Sequence, residues 1–443
     1  MCSSESGTIA DFISEEGAIG AFRFVHAADI HLDSPLRSLA LRDPDLADLI
    51  GNATRRAFTR IIDICIDEQV DALILAGDLY DGDQTSMKTA RFLAEELKRL
   101  DEVGVRTFVV RGNHDATSRV TKELTFPESV KVYGGRAEAV MIERARGELP
   151  IAVHGLSFAQ PQAPESLLTK YKSAVEGTAN IGILHTSLAG SSGHDPYAPC
   201  SIVDLEGAGF DYWALGHIHK RSVYQGRCTV VMPGMPQGRD INEAGPKSVT
   251  LVTIDDDRSV HVEERVTSIA EFVRVPVDAT GIGDWSELAN TLGAAVEAAR
   301  RGAKSEHVVA RVRLTGETTL AWRARNDADL LKTELGFRAS GLENCWIEKI
   351  EVDCRPIATL TGSTADPRGE LQRLITDAVL DSDGFNADAK AIAQELRDQL
   401  PAECRTILGA DEASFNALLS GLARDGADDV LARLQSSPAV EDV

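Results

Sequence analysis

No stretch of this chain runs for the roughly 18 uninterrupted apolar residues that a membrane-crossing helix needs, and the first twenty residues have no basic segment followed by an apolar one. A membrane span and a secretory leader are therefore not expected, and the cytoplasm is the expected compartment. Cysteine is sparse. Cys2, Cys65, Cys200, Cys228, Cys345, Cys354 and Cys404 are odd in number, widely scattered and never spaced as CxxC, which predicts reduced thiols rather than a disulfide framework. No GxxxxGK[ST] string occurs; Gly245, Pro246, Lys247 and Ser248 only echo its end and read as a turn. Any dependence on ATP would have to come from a partner. There is no internal repeat.

Positive charge is also short, with 46 Lys and Arg against 69 Asp and Glu and a net charge of -23. Nucleic-acid binding leans on cations that neutralise phosphates, so the total argues against a polyanionic ligand. The distribution weakens that argument. Residues 1–20 hold four acids and no base, and residues 366–443 hold 16 acids against 7 bases, so the two ends account for -13 of the total. Two bound divalent cations would add positive charge where a phosphate must come.

With 443 residues and 43% hydrophobic content, the chain can support two or three domains. Residues 1–20, rich in Ser, Gly and Glu, read as a flexible extension. From Ala21 onward, strand-like apolar runs alternate with helical stretches: Phe22 to Ala28, a helix from Ala53 to Glu68, Ala72 to Ala76, a helix from Met87 to Val103, then Val105 to Val110. In the last helix Phe92, Leu93, Leu97 and Leu100 form one stripe and Gly104 supplies the stop. Beyond residue 130 strand-like runs dominate, at Ile151 to Phe158, Ile181 to His185, Tyr212 to Gly216, Thr229 to Met232 and Ser248 to Ile254. The expectation is a layered α/β sandwich over 21–265. A βαβαβ unit is expected over 266–357, with helices at Trp285 to Arg301 and Leu320 to Leu335. A linker over 361–370 and an acidic helical tail over 366–443 follow.

The chemistry lies in five short strings. Asp29 and His31 follow the first strand, and alternate residues of an extended segment would point both toward one ion. Asp78, in GDLYD after the strand ALILA, is placed to bridge two ions; its ordinary reading is a turn Asp. Asn113 and His114, in GNHD after TFVVR, offer an amide oxygen beside an imidazole, which suggests a ligand with a proton donor. His185 ends IGILH, and His217 and His219, in GHIH, follow YWAL. Five histidines at strand ends are hard to explain as core residues, since strand ends are where α/β sites gather.

In this order, DxH, GDxxD, GNHD, a lone His and GHxH resemble the calcineurin-like metallophosphoesterases, and HAADIHLDSPL with MPGMPQGRDINEAGPK looks most like the SbcD-type DNA repair nucleases of the YhaO-like branch. The resemblance implies a four-layer-type metallophosphoesterase sandwich with a small α+β capping domain and a helical C-terminal tail. It also implies two divalent ions, most readily Mn(II): one on Asp29, His31, Asp78 and His219, the other on Asp78, Asn113, His185 and His217. His114 would protonate the leaving oxygen and Asp115 would orient its ring. The implied activity is a DNA exo- or endonuclease working in repair with an SbcC-like coiled-coil ATPase docked on the acidic tail. A metallophosphatase or phosphodiesterase acting on a non-DNA phosphoester is the alternative, and a homodimer is left open. Arg300, Arg301, Lys304, Arg323 and Arg325, in the capping unit, form a candidate DNA surface, and Trp322 could stack on a base or sit in the core. The chain departs from the family in having Leu32, Asp33 and Ser34 after the first His, and Tyr80 and Asp81 where some relatives place Phe and His, which leaves strand specificity open.

Overall fold

The computed structural model describes residues 20–34, 44–80, 86–115, 126–157, 160, 163–188, 197–357, 367–400, 405, 408, 409 and 411–434. Residues 1–19 of the expected extension, Asp81, and residues 361–366 of the expected linker lie outside them. The chain divides into two compact units, one running to Phe272 and including Ala303–His307, the other holding Val273–Gly302 and the chain from Val308 onward. The acidic tail therefore shares a unit with most of the expected capping segment.

In the first unit, two six-stranded sheets carry the architecture. The strands β1 (Phe22–Ala27), β2 (Ala72–Ala76), β3 (Arg106–Val110) and β4 (Val130–Val132) run parallel. β5 (Glu138–Ile142), β6 (Ile151–Gly155), β7 (Ala179–His185), β8 (Tyr212–Gly216), β9 (Ser222–Gln225) and β10 (Thr229–Met232) form the second sheet, in order β5-β6-β7-β8-β10-β9 with β6, β7, β8 and β10 parallel. β11 (Ser248–Ile254), antiparallel to β1, and β12 (Val260–Val266), antiparallel to β11, complete the first sheet, giving order β12-β11-β1-β2-β3-β4.

The sheets face each other because alternate residues of each parallel strand are apolar on the inner side. Phe24, Ile74, Phe108, Ile151, Ile181, Tyr212 and Val252 belong to one buried cluster between them, and truncating a Phe there to Ala would cost about 3–5 kcal/mol. His26 joins the layers, with its ring nitrogens 2.9 Å from the Tyr212 hydroxyl and 3.0 Å from the Leu215 carbonyl. Burial lowers its pKa to about 3, so it is a neutral hydrogen-bonding core residue. On the outer face of the first sheet, Val25, Leu73, Leu75 and Val109 pack with α1 (Pro44–Asp67) and α2 (Met87–Glu102). α2 starts where Ser86 Oγ accepts from Thr89 N–H; of the stripe expected of it, Leu93, Leu97 and Leu100 are buried and Phe92 is partly buried against the same core.

β13 (Ala270–Asp278), β14 (His307–Thr315) and β15 (Cys345–Val352), most of whose residues lie in the second unit, form a three-stranded sheet in that order. The α4 helix (Trp285–Gly302) follows α3 (Ile202–Gly207) of the first unit in the chain, and the helix expected from Leu320 to Leu335 is two, α5 (Ala321–Asn326) and α6 (Ala328–Ala339), broken at Asp327. The tail contributes α7 (Pro367–Leu374), α8 (Asp383–Gln399) and α9 (Glu412–Arg433). Among the described residues no helix is long and apolar enough to cross a membrane, and Cys65, Cys200, Cys228, Cys345 and Cys354 are buried free thiols.

Candidate metal centre

The parallel strands β1, β2, β3, β7 and β8 end on one edge of the sandwich, and each carries a predicted site residue at or just past its C-terminal end. Backbone hydrogen bonds tie the loops there: Asp29 N–H to Gly77 O at 3.0 Å, His31 N–H to Asp78 O at 3.1 Å, and Thr186 N–H to Gly216 O at 3.1 Å. Asp29 and His31 converge, but not as neighbours on an extended strand. Both lie past the end of β1 with left-handed backbone, φ 52° and 47°, and Asp78 (φ 53°) and His217 (φ 100°) share that conformation. Side chains other than Gly rarely adopt it, and its clustering at a site signals backbone held in place for function.

Two groups result. Ligand-capable atoms of Asp29, His31 and His219 lie within 4.8 Å of one another, as do those of Asp78, His185 and His217. His185 Nε2 lies 3.3 Å from Asp78 Oδ2 and 3.1 Å from Asn113 Oδ1, which adds Asn113 to the second group. His31 Nε2 and His219 Nε2 face each other at 3.2 Å. Carboxylate, amide oxygen and imidazole, without thiolate, form a donor set suited to a hard or borderline divalent ion, so these residues fit a pair of such ions. Asp29, His31, Asp78 and His185 are at most 2% exposed, a depth at which carboxylates without countercharge are costly.

The motif glycines are imposed by the crowding at this edge. A Cβ on Gly112 would fall 2.2 Å from Asp78 Oδ1 and 2.8 Å from His185 Nε2, and one on Gly216 would fall 2.0 Å from the Ala76 carbonyl. That carbonyl accepts from His185 Nδ1–H at 2.9 Å, leaving Nε2 to face Asp78 and Asn113.

Electrostatics match a site built for cations. Burial raises Asp29 to about 6 and lowers His31 to about 3. Burial also disfavours a charged His185, yet the Asp78 carboxylate beside it prevails and pushes its pKa up to about 9, while Asp78 is held below the usual carboxylate range. Without metal, a proton on His185 thus stands where a cation would neutralise Asp78.

His114 stands beside these groups, its ring 5.2 Å from that of His31 and its backbone N–H donating to Asp78 Oδ1 at 3.0 Å. The role expected of Asp115 is corrected. Its carboxylate accepts from the backbone N–H groups of Leu79, Tyr80 and Gly112 at 3.1–3.2 Å, so it braces the Asp78 loop against the Asn113 loop instead of orienting the His114 ring. Three backbone donors aim at it because the two loops turn around its side chain.

Three neighbours are not evident from the sequence. Tyr197 stacks on His217 with centroids 5.3 Å apart. Glu243 Oε1 lies 2.9 Å from His219 Nδ1, and Arg239 holds Glu243 from the other side at 2.7 Å. Burial opposes the Glu243 charge, but His219 and Arg239 keep its carboxyl well below the usual range. Both residues lie in the string GRDINEAG after GHIH, where an acid and a base four apart hint at such a pair.

The candidate DNA-contact bases are largely engaged elsewhere. Arg301 pairs with Glu297 at 2.6 Å, Arg323 lies over the Trp285 ring and 3.6 Å from Asp327, and Arg325 pairs with Asp429 at 3.2 Å and Asp428 at 3.6 Å. Arg300 Nε donates to the Glu343 carbonyl at 2.9 Å. Lys304 is exposed and belongs with the first unit. Trp322 is half-buried.

Residues 22–221 match the calcineurin-like phosphoesterase family model, and residues 272–355 match the middle domain of metallophosphoesterase YhaO. Residues 22–221 are therefore a calcineurin-like metallophosphoesterase domain, and a YhaO-like middle domain follows it. The chain is similar to metallophosphoesterase YhaO of Bacillus subtilis, 36% identical over 232 residues, covering 52% of this chain and 57% of that one. It is also similar to the DNA double-strand break repair protein Mre11 of Sulfurisphaera tokodaii (31% identity; 46% of this chain, 50% of the relative). A third relative is a component of the nuclease SbcCD of Bacillus subtilis (28% identity; 52% of this chain, 66% of the relative). The matched stretch thus spans between half and two thirds of these relatives.

Proposed function

We propose that this chain hydrolyses phosphodiester bonds in DNA with two divalent ions, manganese by the family resemblance, and serves DNA repair with an SbcC-like coiled-coil ATPase. The observation that carries the reading is the pair of ligand groups, Asp29–His31–His219 and Asp78–His185–His217, with the His114 ring beside that of His31 and outside both groups. Asp29, His31, Asp78 and His219 would hold one ion, and Asp78, Asn113, His185 and His217 the other, with Asp78 bridging. Bound there, the ions would supply Lewis-acid stabilisation of the charge that builds on the phosphate. The chain's own part is to keep the ligand imidazoles aimed, to keep the loops braced through Asp115, and to deliver a proton from the His114 ring to the leaving oxygen.

The restriction to DNA is supported by relatives whose names place them in double-strand break repair and in the nuclease SbcCD. In the tail, α9 buries Phe415 and Leu431 and sends Asp428 and Asp429 to Arg325, whereas α8 leaves Ile392 (67%) and Leu396 (56%) exposed one turn apart. That exposed stripe on an acidic helix suits a coiled-coil partner. Loss of a co-purifying ATPase on truncation after Asp366 is the expected result, and its retention would contradict the docking role.

Activity is tested by manganese-dependent digestion of end-labelled single-stranded and hairpin DNA, beside a generic phosphodiester and a phosphomonoester. DNA and diester cleavage is expected. Cleavage of the monoester alone would favour a metallophosphatase and overturn the nuclease reading.

A further inference from the structure

His219 is a ligand whose ring is held by charged side chains. Its Nε2 faces the cluster, 3.2 Å from His31 Nε2, so its other nitrogen decides which tautomer it holds. Two groups compete for that nitrogen. Glu243 Oε1, which can only accept, lies 2.9 Å from Nδ1, and Arg239 Nη2, which can only donate, lies 3.4 Å from it. With Glu243 as partner, Nδ1 carries the hydrogen and Nε2 presents its lone pair to an ion. With Arg239 as partner the tautomer reverses, and Nε2 carries a hydrogen that excludes the ion.

Glu243 is held to win this contest. It closes the turn Ile241–Glu243, which Asp240 caps by accepting from Asn242 N–H at 2.7 Å. Its own carboxylate receives Arg239 N–H and Nη2–H, each at 2.7 Å. Arg239 thus fixes the acceptor and is in turn kept from His219 by it. In the other ligand group the His185 tautomer is set instead by the main-chain carbonyl of Ala76.

We propose that Glu243, clamped by Arg239, is a positioning residue that holds His219 as an Nε2 ligand and thereby sets the affinity of the Asp29–His31–His219 group alone. This rests on the two-metal reading above. The test uses the full chain, titrated with Mn(II) by calorimetry, and long-range proton–nitrogen NMR of the metal-free protein labelled at histidine nitrogens. Glu243→Ala should weaken one of two ions about 10–100-fold and leave the other unchanged, and the His219 signals should move from the Nδ1–H to the Nε2–H pattern. Adding Arg239→Ala removes the competing donor and should restore part of the lost affinity. An unchanged His219 tautomer in Glu243→Ala, equal weakening of both ions, or a further loss in the double variant would overturn the proposal. If the wild type bound no ions while the tautomer still switched, the metal reading would fall and the control of His219 by Glu243 would stand.

Discussion

Loading the metal centre at neutral pH has to displace a proton. An imidazole ligates only when neutral, yet in the metal-free protein Asp78 holds the His185 pKa up to about 9. At pH 7 the protonated form then dominates by roughly 100 to 1, a bias of about 3 kcal/mol against ion binding at the Asp78–His185–His217 group. Affinity there should rise about tenfold per pH unit from 7 until it levels near 9. Asp29, raised to about 6, adds a second proton only in the acid range. For the fold the same linkage runs the other way. The His185 contribution to metal-free stability is complete below its unfolded pKa of 6.5 and fades as pH rises through 9. Calorimetric titration of the metal-free protein with Mn(II), at pH 7 and in two buffers of different protonation enthalpy, counts the protons. About one proton released per pair of ions, with tightening up to pH 9, is expected. No release at pH 7 and an affinity flat between 7 and 9 would refute the account of His185.

His114→Ala should retain both ions and lose about 10²–10⁴-fold in cleavage, the usual range for a proton donor; metal loss equal to that of His217→Ala would contradict the separation of roles. Gly112→Ala drives a methyl into Asp78 Oδ1 at 2.2 Å and should abolish binding at the second group and lower stability by about 1–3 kcal/mol in a thermal melt; wild-type binding would show that the crowding there is unimportant.

Much of this site can be read in sequence because the ligands follow continuous apolar strands such as ALILA and YWAL, which are fully buried. β4, β5, β9 and β12 are harder to read. They are short or lie at sheet edges with mixed exposure, so alternation is weak. α1 starts at Pro44, ahead of the expected Ala53, and its first turns already carry Leu46, Leu49, Ile50 and Ala53 at helical spacing. How Asp29 and His31 converge is not legible in sequence, since left-handed backbone in residues other than Gly has no local signature. Glu243 and Tyr197 lie 24 and 20 residues from the histidines they touch, and Asp115 finds two of its three donors, Leu79 and Tyr80, on a loop 36 and 35 residues upstream. Only the fold brings such partners together. The arginines of the middle domain look like a basic run in one dimension, and folding hands most of them to carboxylates, among them Glu297 and Asp429.

The central claim is tested most directly by anomalous diffraction from crystals of the manganese-loaded protein. Two peaks are predicted, roughly 3.5–4 Å apart, one held by Asp29, His31 and His219, the other by Asn113, His185 and His217, with Asp78 between them. A single peak, or manganese bound away from these residues, would contradict the account.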